Sequence, residues 1–400
     1  MNKSTHLIQI TDKARQLMNE RNIDALILST PENFYHLTGH QSFFLYTFKY
    51  TGAAVAILFR DEKIPSLVLM NEFEAQGVSL EMPNYILKTF PIWVDIDTPF
   101  MPQNTNKRRP ILPPTEQVLA VIKEYLIAHD KLNKNIAIEF PQISLQTKVL
   151  LDKIFGNVNW HDSNQLIDEL RTIKTDYEIE HLRKSAFITE RGIEAAINSI
   201  EAGCSAYELT HAYQKEIANY KETSHSRFHL ISIGELFSPQ KIPSKQTIKE
   251  GDLIKLDCGV DVEGYGADIA RTVSFKKPTK KAEEIFDIIL AGHEHMLSLV
   301  KPFESMEYVF NSTIKKIQQM GLPNYQRGHL GHSNGLSLGL EEPPFVKNHT
   351  NSIFLPGMVL SLETPYYGIG VGSIMIEDML LITKTGYELF SQLPRSLINK

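Results

Sequence analysis

The sequence has few cysteines and no long hydrophobic run, and both shortages narrow the classes to which the protein can belong. Cys204 and Cys258 are the only two cysteines among 400 residues, which excludes a disulfide framework and favours a reducing cytoplasm. No apolar run approaches the roughly 20 residues that a membrane-spanning helix needs. The first residues are polar and lack the apolar core of a signal peptide. We therefore expect a cytoplasmic protein without a membrane partner.

Concentrated positive charge is also lacking. The formal net charge is -6, and the one basic cluster, residues 107–109, is too short to neutralise a row of phosphates, so no nucleic-acid partner is expected. The apolar and charged fractions, 42% and 22%, exclude disordered and fibrous classes. A chain of this length exceeds what one hydrophobic core usually organises, and two domains are expected.

Two stretches of different pattern predict two domains of different class. Residues 1–165 predict an α/β domain, with helices at 12–21 and 115–128 and strands at 25–28, 53–58, 66–70 and 136–138. Within it, residues 91–114 contain six prolines and predict a long surface excursion. Residues 166–400 predict an α+β domain, with an amphipathic helical stretch at 166–200, then short strands and helices at 280–300 and 305–320.

A predicted hairpin in the second domain brings two aspartates together. An apolar strand ends at Asp257, a turn is expected near Glu263 and Gly264, and a second strand returns past Asp268. The two aspartates are eleven residues apart (268 − 257), and the turn is centred between them. Both carboxylates are therefore predicted on one face, as opposite or diagonal neighbours.

The same construction recurs with two glutamates. Glu363 ends an apolar strand, Glu377 lies fourteen residues later (377 − 363), and a glycine-rich turn is centred on Gly370. The spacing predicts that Glu363 and Glu377 are cross-strand partners. Paired buried carboxylates repel each other, and bound cations relieve that repulsion.

Between the hairpins, a glycine-rich segment carries His329 and His332, whose imidazoles can reach a metal. Four carboxylates and one histidine form an oxygen-rich set that suits two divalent ions of Mn, Co, Fe or Zn. Each residue alone also fits a plainer role: Asp257 as a turn former, Asp268 in a surface ion pair, His332 as a structural histidine and Glu377 as solvent-facing charge. The pattern alone leaves these alternatives open.

Several segments together resemble the pita-bread metallopeptidases, the family of prolidase, aminopeptidase P, methionine aminopeptidase and creatinase. The resemblance covers nearly the whole chain and rests on residues 33–39, 170–179, 256–259, 265–272, 331–332, 358–363 and 376–378. It implies a creatinase-like α/β N-terminal domain, residues 1–165, and an α+β pita-bread catalytic domain, residues 166–400. It also implies a homodimer.

The resemblance implies a role for each ligand. Asp257 would chelate one metal, Asp268 and Glu377 would bridge both, and His332 and Glu363 would complete the second. Two such ions lower the pKa of a shared water towards about 7 and polarise a carbonyl group. Glu363 is the candidate proton shuttle, with a purely ligating role as the alternative. The expected catalytic residues are Glu363 and His332.

The chain departs from the family at substrate-handling positions. Gln240 stands where prolidases usually carry histidine, Gly339 falls at a second such histidine beside an apparent two-residue insertion, and Met375 stands where arginine is expected. Gln240 and His329 are the candidate substrate-binding residues, although His329 fits a hydrogen bond to a carboxylate at least as well. The sequence therefore predicts a complete set of metal ligands beside a substrate pocket that differs from that of prolidases.

The sequence therefore leaves three functions open. The first is hydrolysis of an amide bond before proline in a dipeptide or short peptide. The second keeps the fold but acts on a small non-peptide metabolite, as creatinase, ectoine hydrolase or related lyases do. The third is a binding module without catalysis, which has no physical need for four clustered carboxylates. In addition, the aromatic residues 43–48 are expected either to pack internally or to border the active site of a second copy.

Overall fold

The computed structural model describes residues 2–50, 52–78, 80–94, 96, 109–238, 245–336 and 341–400. The chain divides into two compact units, Met1–Arg171 and Thr172–Lys400. The predicted boundary between residues 165 and 166 falls inside the helix Asn164–Thr172, six residues before this division. Among the described residues, no helix combines the length and the apolar character needed to cross a membrane.

The first unit is a six-stranded mixed sheet with helices. Its strands are β1 (Ala25–Leu28), β2 (Ala54–Phe59), β3 (Ser66–Asn71), β4 (Tyr85–Phe90), β5 (Asn135–Ile138) and β6 (Asn159–Asp162), in the order β4-β3-β2-β1-β5-β6. Its helices are α1 (Lys3–Glu20), α2 (Pro31–Thr38), α3 (Phe43–Thr47), α4 (Glu72–Ala75), α5 (Thr115–Ala128), α6 (Leu145–Phe155) and α7 (Asn164–Thr172).

Apolar runs of the sequence form the centre of this sheet. Every residue of β1, β2 and β3 is buried, as expected for strands covered on both faces. Helix α1 begins nine residues before the predicted start, because the side chain of Asn2 accepts a hydrogen bond from the Thr5 amide and caps it. Most of the predicted excursion at 91–114 lies outside the described residues.

The second unit contains a ten-stranded sheet, a separate two-stranded sheet and, among the described residues, four helices. Its helices are α8 (Asp176–Asn198), α9 (Ala206–Ile217), α10 (Lys280–Leu299) and α11 (Met306–Gln319). Its strands are β7 (Thr223–Ile233), β8 (Leu253–Val262), β9 (Tyr265–Gly266), β10 (Ile269–Ser274), β11 (Gly331–Ser333), β12 (Glu342–Phe345), β13 (Val359–Glu363), β14 (Tyr366–Gly368), β15 (Gly372–Ile374), β16 (Glu377–Ile382), β17 (Tyr387–Leu389) and β18 (Ile398–Asn399).

The order β12-β11-β13-β16-β10-β8-β7 places the two carboxylate hairpins side by side. Strands β8 and β10 form the first hairpin, strands β13 and β16 the second, and β10 pairs with β16 at Ala270 and Glu377. The sheet therefore joins the two hairpins at the strands that return from their turns.

Each hairpin is preceded in sequence by a pair of packed helices. Gly192 of α8 lies against Tyr213 of α9, and Gly292 of α10 lies against Ile317 of α11. A glycine at each contact lets the two helices approach closely. The two halves of the unit thus repeat one construction, two helices followed by a hairpin.

Candidate metal centre

The first hairpin places its two aspartates diagonally on one face. Asp257 pairs with Ala270 across the ladder, and Asp268 lies two residues before Ala270, on the same side of the pleat. The connecting turn is the two-residue loop Glu263-Gly264, both with positive φ (49° and 80°), as in the type I′ turns that suit tight hairpins. The returning strand is interrupted at Asp268, between β9 and β10.

The second hairpin places its two glutamates directly opposite each other. Glu363 at the end of β13 pairs with Glu377 at the start of β16. Strands β14 and β15 continue the same register to Gly368 and Gly372 at the tip. Gly370 adopts a positive φ of 77° in the turn. The spacing-based prediction of cross-strand glutamates is confirmed.

His332 reaches the same place from β11, which pairs with β13. Its Nδ1 lies 3.1 Å from the carbonyl oxygen of Ser333, so Nδ1 must donate there. The other ring nitrogen, Nε2, lies 3.6 Å from Asp268 Oδ2 and 3.7 Å from Glu377 Oε1. This orientation is typical of a histidine that ligates a metal through Nε2.

A cleft of about 290 Å³ collects all five predicted ligands. It is lined by Arg227, Phe228, Leu230, Asp257, Ala267, Asp268, His332, Asn334, Glu341, Glu363, Met375 and Glu377. The size admits a small molecule or the end of a peptide, and the lining carries five carboxylates.

The electrostatics of the cleft disfavour so many ionised carboxylates. Burial, and then the charges of Glu363 and Asp257, raise the pKa of Glu377 well above its usual value. Burial, and then Glu377 and Asp257, do the same to the pKa of Asp268. Burial also raises the pKa of Glu363, although the neighbouring His332 opposes this effect. A cation among these groups would stabilise their ionised forms.

Unsatisfied oxygens show that a divalent cation fits these residues. Asp268 Oδ1 and Glu377 Oε2 are buried and have no hydrogen-bond partner in the described part of the chain. Ligand atoms of Asp268, His332 and Glu377 all lie within 4.8 Å of one another. Buried polar atoms are rarely left without a partner, and an oxygen-rich set with one imidazole suits a first-row divalent ion.

Glu363 has different neighbours. His329 lies between two carboxylates, with Nδ1 3.5 Å from Glu363 Oε1 and Nε2 3.0 Å from Glu341 Oε2. These three residues form a second group of potential ligand atoms within 4.8 Å. His329 thus lies beside a predicted ligand and makes its shorter contact to Glu341, an acidic group that the sequence analysis did not single out.

Asp257 has a partner that sequence reasoning missed. Lys255, two residues earlier on β8, donates a hydrogen bond from Nζ to Asp257 Oδ2 over 2.8 Å. Burial alone would lower the pKa of Lys255. The charge of Asp257 outweighs burial, so the pKa of Lys255 is raised above its usual value. The period-two pattern of a strand places both side chains on one face, so this contact could have been found from the sequence.

A buried network lies behind the two hairpins and was also missed. Arg271 donates to the Glu377 carbonyl over 2.7 Å and to Asp378 Oδ1 over 2.6 Å. His293 of α10 lies 3.0 Å from Asp378 Oδ2, which also accepts a hydrogen bond from Arg395. Burial would raise the pKa of Asp378, but these cationic and hydrogen-bonding partners hold it below its usual range. The network fixes the backbone at Glu377.

The substituted substrate positions are only partly described. Gln240 and Gly339 lie outside the described residues. Met375 is buried and lines the cleft, so the position where an arginine was expected presents an apolar side chain beside the carboxylates.

Comparison with known proteins gives two family matches. Residues 180–384 match metallopeptidase family M24, and residues 11–173 match the creatinase/prolidase N-terminal domain. An uncharacterized peptidase of Staphylococcus saprophyticus is 31% identical over 261 residues, which cover 64% of this chain and 73% of the relative.

Solved structures share the fold over the whole chain. A prolidase from Thermococcus sibiricus has a TM-score of 0.82 at 21% identity, with 100% of both chains covered. The N-terminal domain of the FACT complex subunit SPT16 from chickpea has a TM-score of 0.76 at 13% identity, with 99% of both chains covered. At these identities the likeness shows the fold alone. Together with the family matches it confirms the predicted fold class.

Proposed function

The chain belongs to metallopeptidase family M24, and from this premise we propose that it hydrolyses the amide bond before proline in a dipeptide or short peptide. The family makes it a metal-dependent hydrolase. The observation that carries the proposal is the convergence of Asp257, Asp268, His332, Glu363 and Glu377 on one cleft. The prolidase whose fold it shares supports the choice of bond.

We assign the five residues as ligands of two divalent ions of Mn, Co, Fe or Zn. When bound, the ions would polarise the scissile carbonyl and make a water nucleophilic at neutral pH. A carboxylate that binds two ions needs a free oxygen for each of them. Asp268 and Glu377 each have a buried oxygen without a hydrogen-bond partner among the described residues. His332 is held by its Nδ1 hydrogen bond so that Nε2 faces Asp268 and Glu377.

Glu363 is the proposed general base and acid. Its burial in the cleft raises its pKa, and a carboxylate with a raised pKa is suited to take a proton from the attacking water and return it to the leaving nitrogen. His329 Nδ1 lies 3.5 Å from Glu363 Oε1, beside the carboxylate that would carry the proton. Arg227 and Met375 line the same cleft and would face the substrate.

A small non-peptide substrate is the second candidate. Met375 presents an apolar side chain where prolidases usually carry arginine, and Gln240 cannot carry the charge of the histidine it replaces. We therefore expect turnover of standard X-Pro dipeptides to be at least about tenfold below that of the true substrate, or roughly 1.4 kcal/mol of transition-state binding. A binding module without catalysis is disfavoured by the complete carboxylate set.

The test is a turnover screen with added Mn²⁺, over X-Pro dipeptides, longer X-Pro peptides and small guanidino or amide metabolites. Elemental analysis should find two ions in the wild type and fewer in Asp268→Ala, which should also lose turnover. Asp287→Ala, on the exposed face of α10, is the matched control and should keep both. A wild type that holds no metal, and is no less stable in chelator, would contradict the proposal.

A further inference from the structure

Lys255 and Asp257 form an ion pair inside the proposed metal centre. Their side chains are 4% and 9% exposed, and Lys255 Nζ donates to Asp257 Oδ2 over 2.8 Å. The ammonium group also lies 5.8 Å from the centre of the Tyr367 ring. Residues of β8 and β14 thus enclose the Lys255 ammonium group beside a predicted ligand.

We propose that Lys255 holds Oδ2 of Asp257, so that Asp257 offers only Oδ1 to a metal ion, and that it thereby weakens binding at the Asp257 position. This inference rests on the proposed dinuclear centre. It replaces the expected chelation by both Asp257 oxygens with ligation through a single oxygen.

The ammonium group has little freedom to leave. A buried lysine without a partner is strongly destabilising, and Asp257 is the one carboxylate within 4.0 Å of Lys255 in the described part of the chain. A metal that took both Asp257 oxygens would remove that partner. It would also place a divalent charge close to the ammonium in a weakly screened site, where repulsion is strong.

The other carboxylates of the cleft are not held in this way. Asp268 Oδ1 and Glu377 Oε2 lack hydrogen-bond partners among the described residues. A cation that binds these two oxygens therefore breaks no existing hydrogen bond. The ligands are therefore unequal before any metal binds, because one aspartate is already neutralised by the chain itself. Lys255 acts as a positioning residue through Asp257 and need not touch the substrate.

Calorimetric titration of chelator-stripped protein with Mn²⁺ tests the inference without reference to turnover. Lys255→Met removes the charge and the donor at similar side-chain length. We expect the weaker of the two binding events to tighten by about tenfold or more, which corresponds to about 1.4 kcal/mol or more. The rise in melting temperature on adding Mn²⁺ should also be larger than in the wild type.

Two further variants make the result decisive. Lys276→Met removes an exposed lysine of the same unit, which pairs with Glu250, and should leave both binding events unchanged. Lys255→Gln keeps a donor of shorter reach and serves if Lys255→Met does not fold. Unchanged or weaker Mn²⁺ binding in the folded Lys255 variants would overturn the inference and leave the metal centre standing. Absence of Mn²⁺ binding in the wild type would overturn the proposed function itself.

Discussion

At the scale of single residues, the main feature is a set of carboxylates whose protonation is tied to folding. Glu377 is 1% exposed and lies opposite Glu363, and its pKa is raised well above the usual value by burial and by neighbouring carboxylates. A folded state that raises a carboxyl pKa binds protons more tightly than the unfolded state does. The metal-free protein is therefore most stable where these groups are protonated.

This linkage predicts how the stability of the chelated protein depends on pH. The contribution of Glu377 is fully present below the unfolded pKa of about 4.3 and is lost as pH rises through the raised folded pKa, at up to about 1.4 kcal/mol per pH unit. Glu377→Gln stays neutral, so its free energy of unfolding should fall less between about pH 4.5 and pH 8. Urea unfolding in chelator at several pH values measures the difference.

A surface substitution and added metal complete that experiment. Glu388→Gln removes an exposed carboxylate that pairs with Arg183 and should keep the wild-type pH slope. Mn²⁺ should stabilise the wild type more at pH 8 than at pH 5, because its ligands must be deprotonated to bind. Equal slopes for wild type and Glu377→Gln would contradict the raised pKa.

Individual site residues differed in how far the sequence could predict them. The juxtaposition of the two carboxylate pairs was predictable because their spacing around two turns fixes which face of the sheet they share. His332 lies between the hairpins and was chosen from its glycine-rich segment. His293 and Arg395 were not, because their contact with Asp378 depends on how α10 and the chain end pack against the sheet. No local pattern marks a residue that meets its partner only through tertiary packing.

At the scale of elements, the helix pairs behind each hairpin depend on glycine. A Cβ atom at Gly192 would lie 2.5 Å from the Tyr213 ring, and one at Gly292 would lie 2.3 Å from Ile317. Either distance is too short for carbon atoms, so the helices would have to separate. These glycines set the distance between the helices that support the sheet.

We expect Gly192→Ala and Gly292→Ala each to destabilise the protein by about 1–3 kcal/mol, the usual cost of overpacking. Alanine favours helix formation, so a loss of stability would identify the interhelical contact as the cause. Gly386→Ala, where an added Cβ meets nothing within 4 Å, is the matched control and should change little. Chemical denaturation of the three variants measures their free energies of unfolding. An unchanged free energy of unfolding at both helix positions would refute the prediction.

The elements were predicted unevenly, and apolar periodicity does not separate those found from those missed, because the missed α9 buries Leu209, Tyr213 and Ile217 along one face. The predicted helix at residues 115–128 has the same bounds as α5. In contrast, α9 and β7 were not predicted. The sequence of β7 mixes serine, histidine and arginine with apolar residues, and the strand lies at the edge of its sheet, where burial does not impose a regular pattern.

At the scale of the whole molecule, the aromatic run at residues 43–48 has both buried and exposed members. Phe44 and Leu45 are buried in the core of the first unit, which supports internal packing. Phe43 and Phe48 are 56% and 48% exposed and contact each other edge to face. The exposed pair remains available for the predicted contact with a second copy.

We predict a homodimer in which the segment at residues 39–50 of one copy borders the active site of the other. Light scattering should give twice the mass of the chain, and Phe43→Ala should change KM or weaken the dimer without unfolding the unit. Phe44→Ala would be a poor test because it removes a core side chain. Leu145→Ala, 82% exposed in the same unit, is the control. A monomer at working concentration would refute the prediction.

The continuous register of the second hairpin bears on which insertions and deletions this gene can tolerate. One register relates the pair Glu363–Glu377 to the pairs that end at Gly368–Gly372, although the ladder is interrupted between them, and Ile369 in the turn is 88% exposed. Residues added between the last paired positions would lengthen the turn and leave both glutamates in place. One residue gained or lost within either arm would turn a glutamate to the opposite face of the sheet. Length variation in descendants of this sequence should therefore concentrate in the turn, while both arms keep their length.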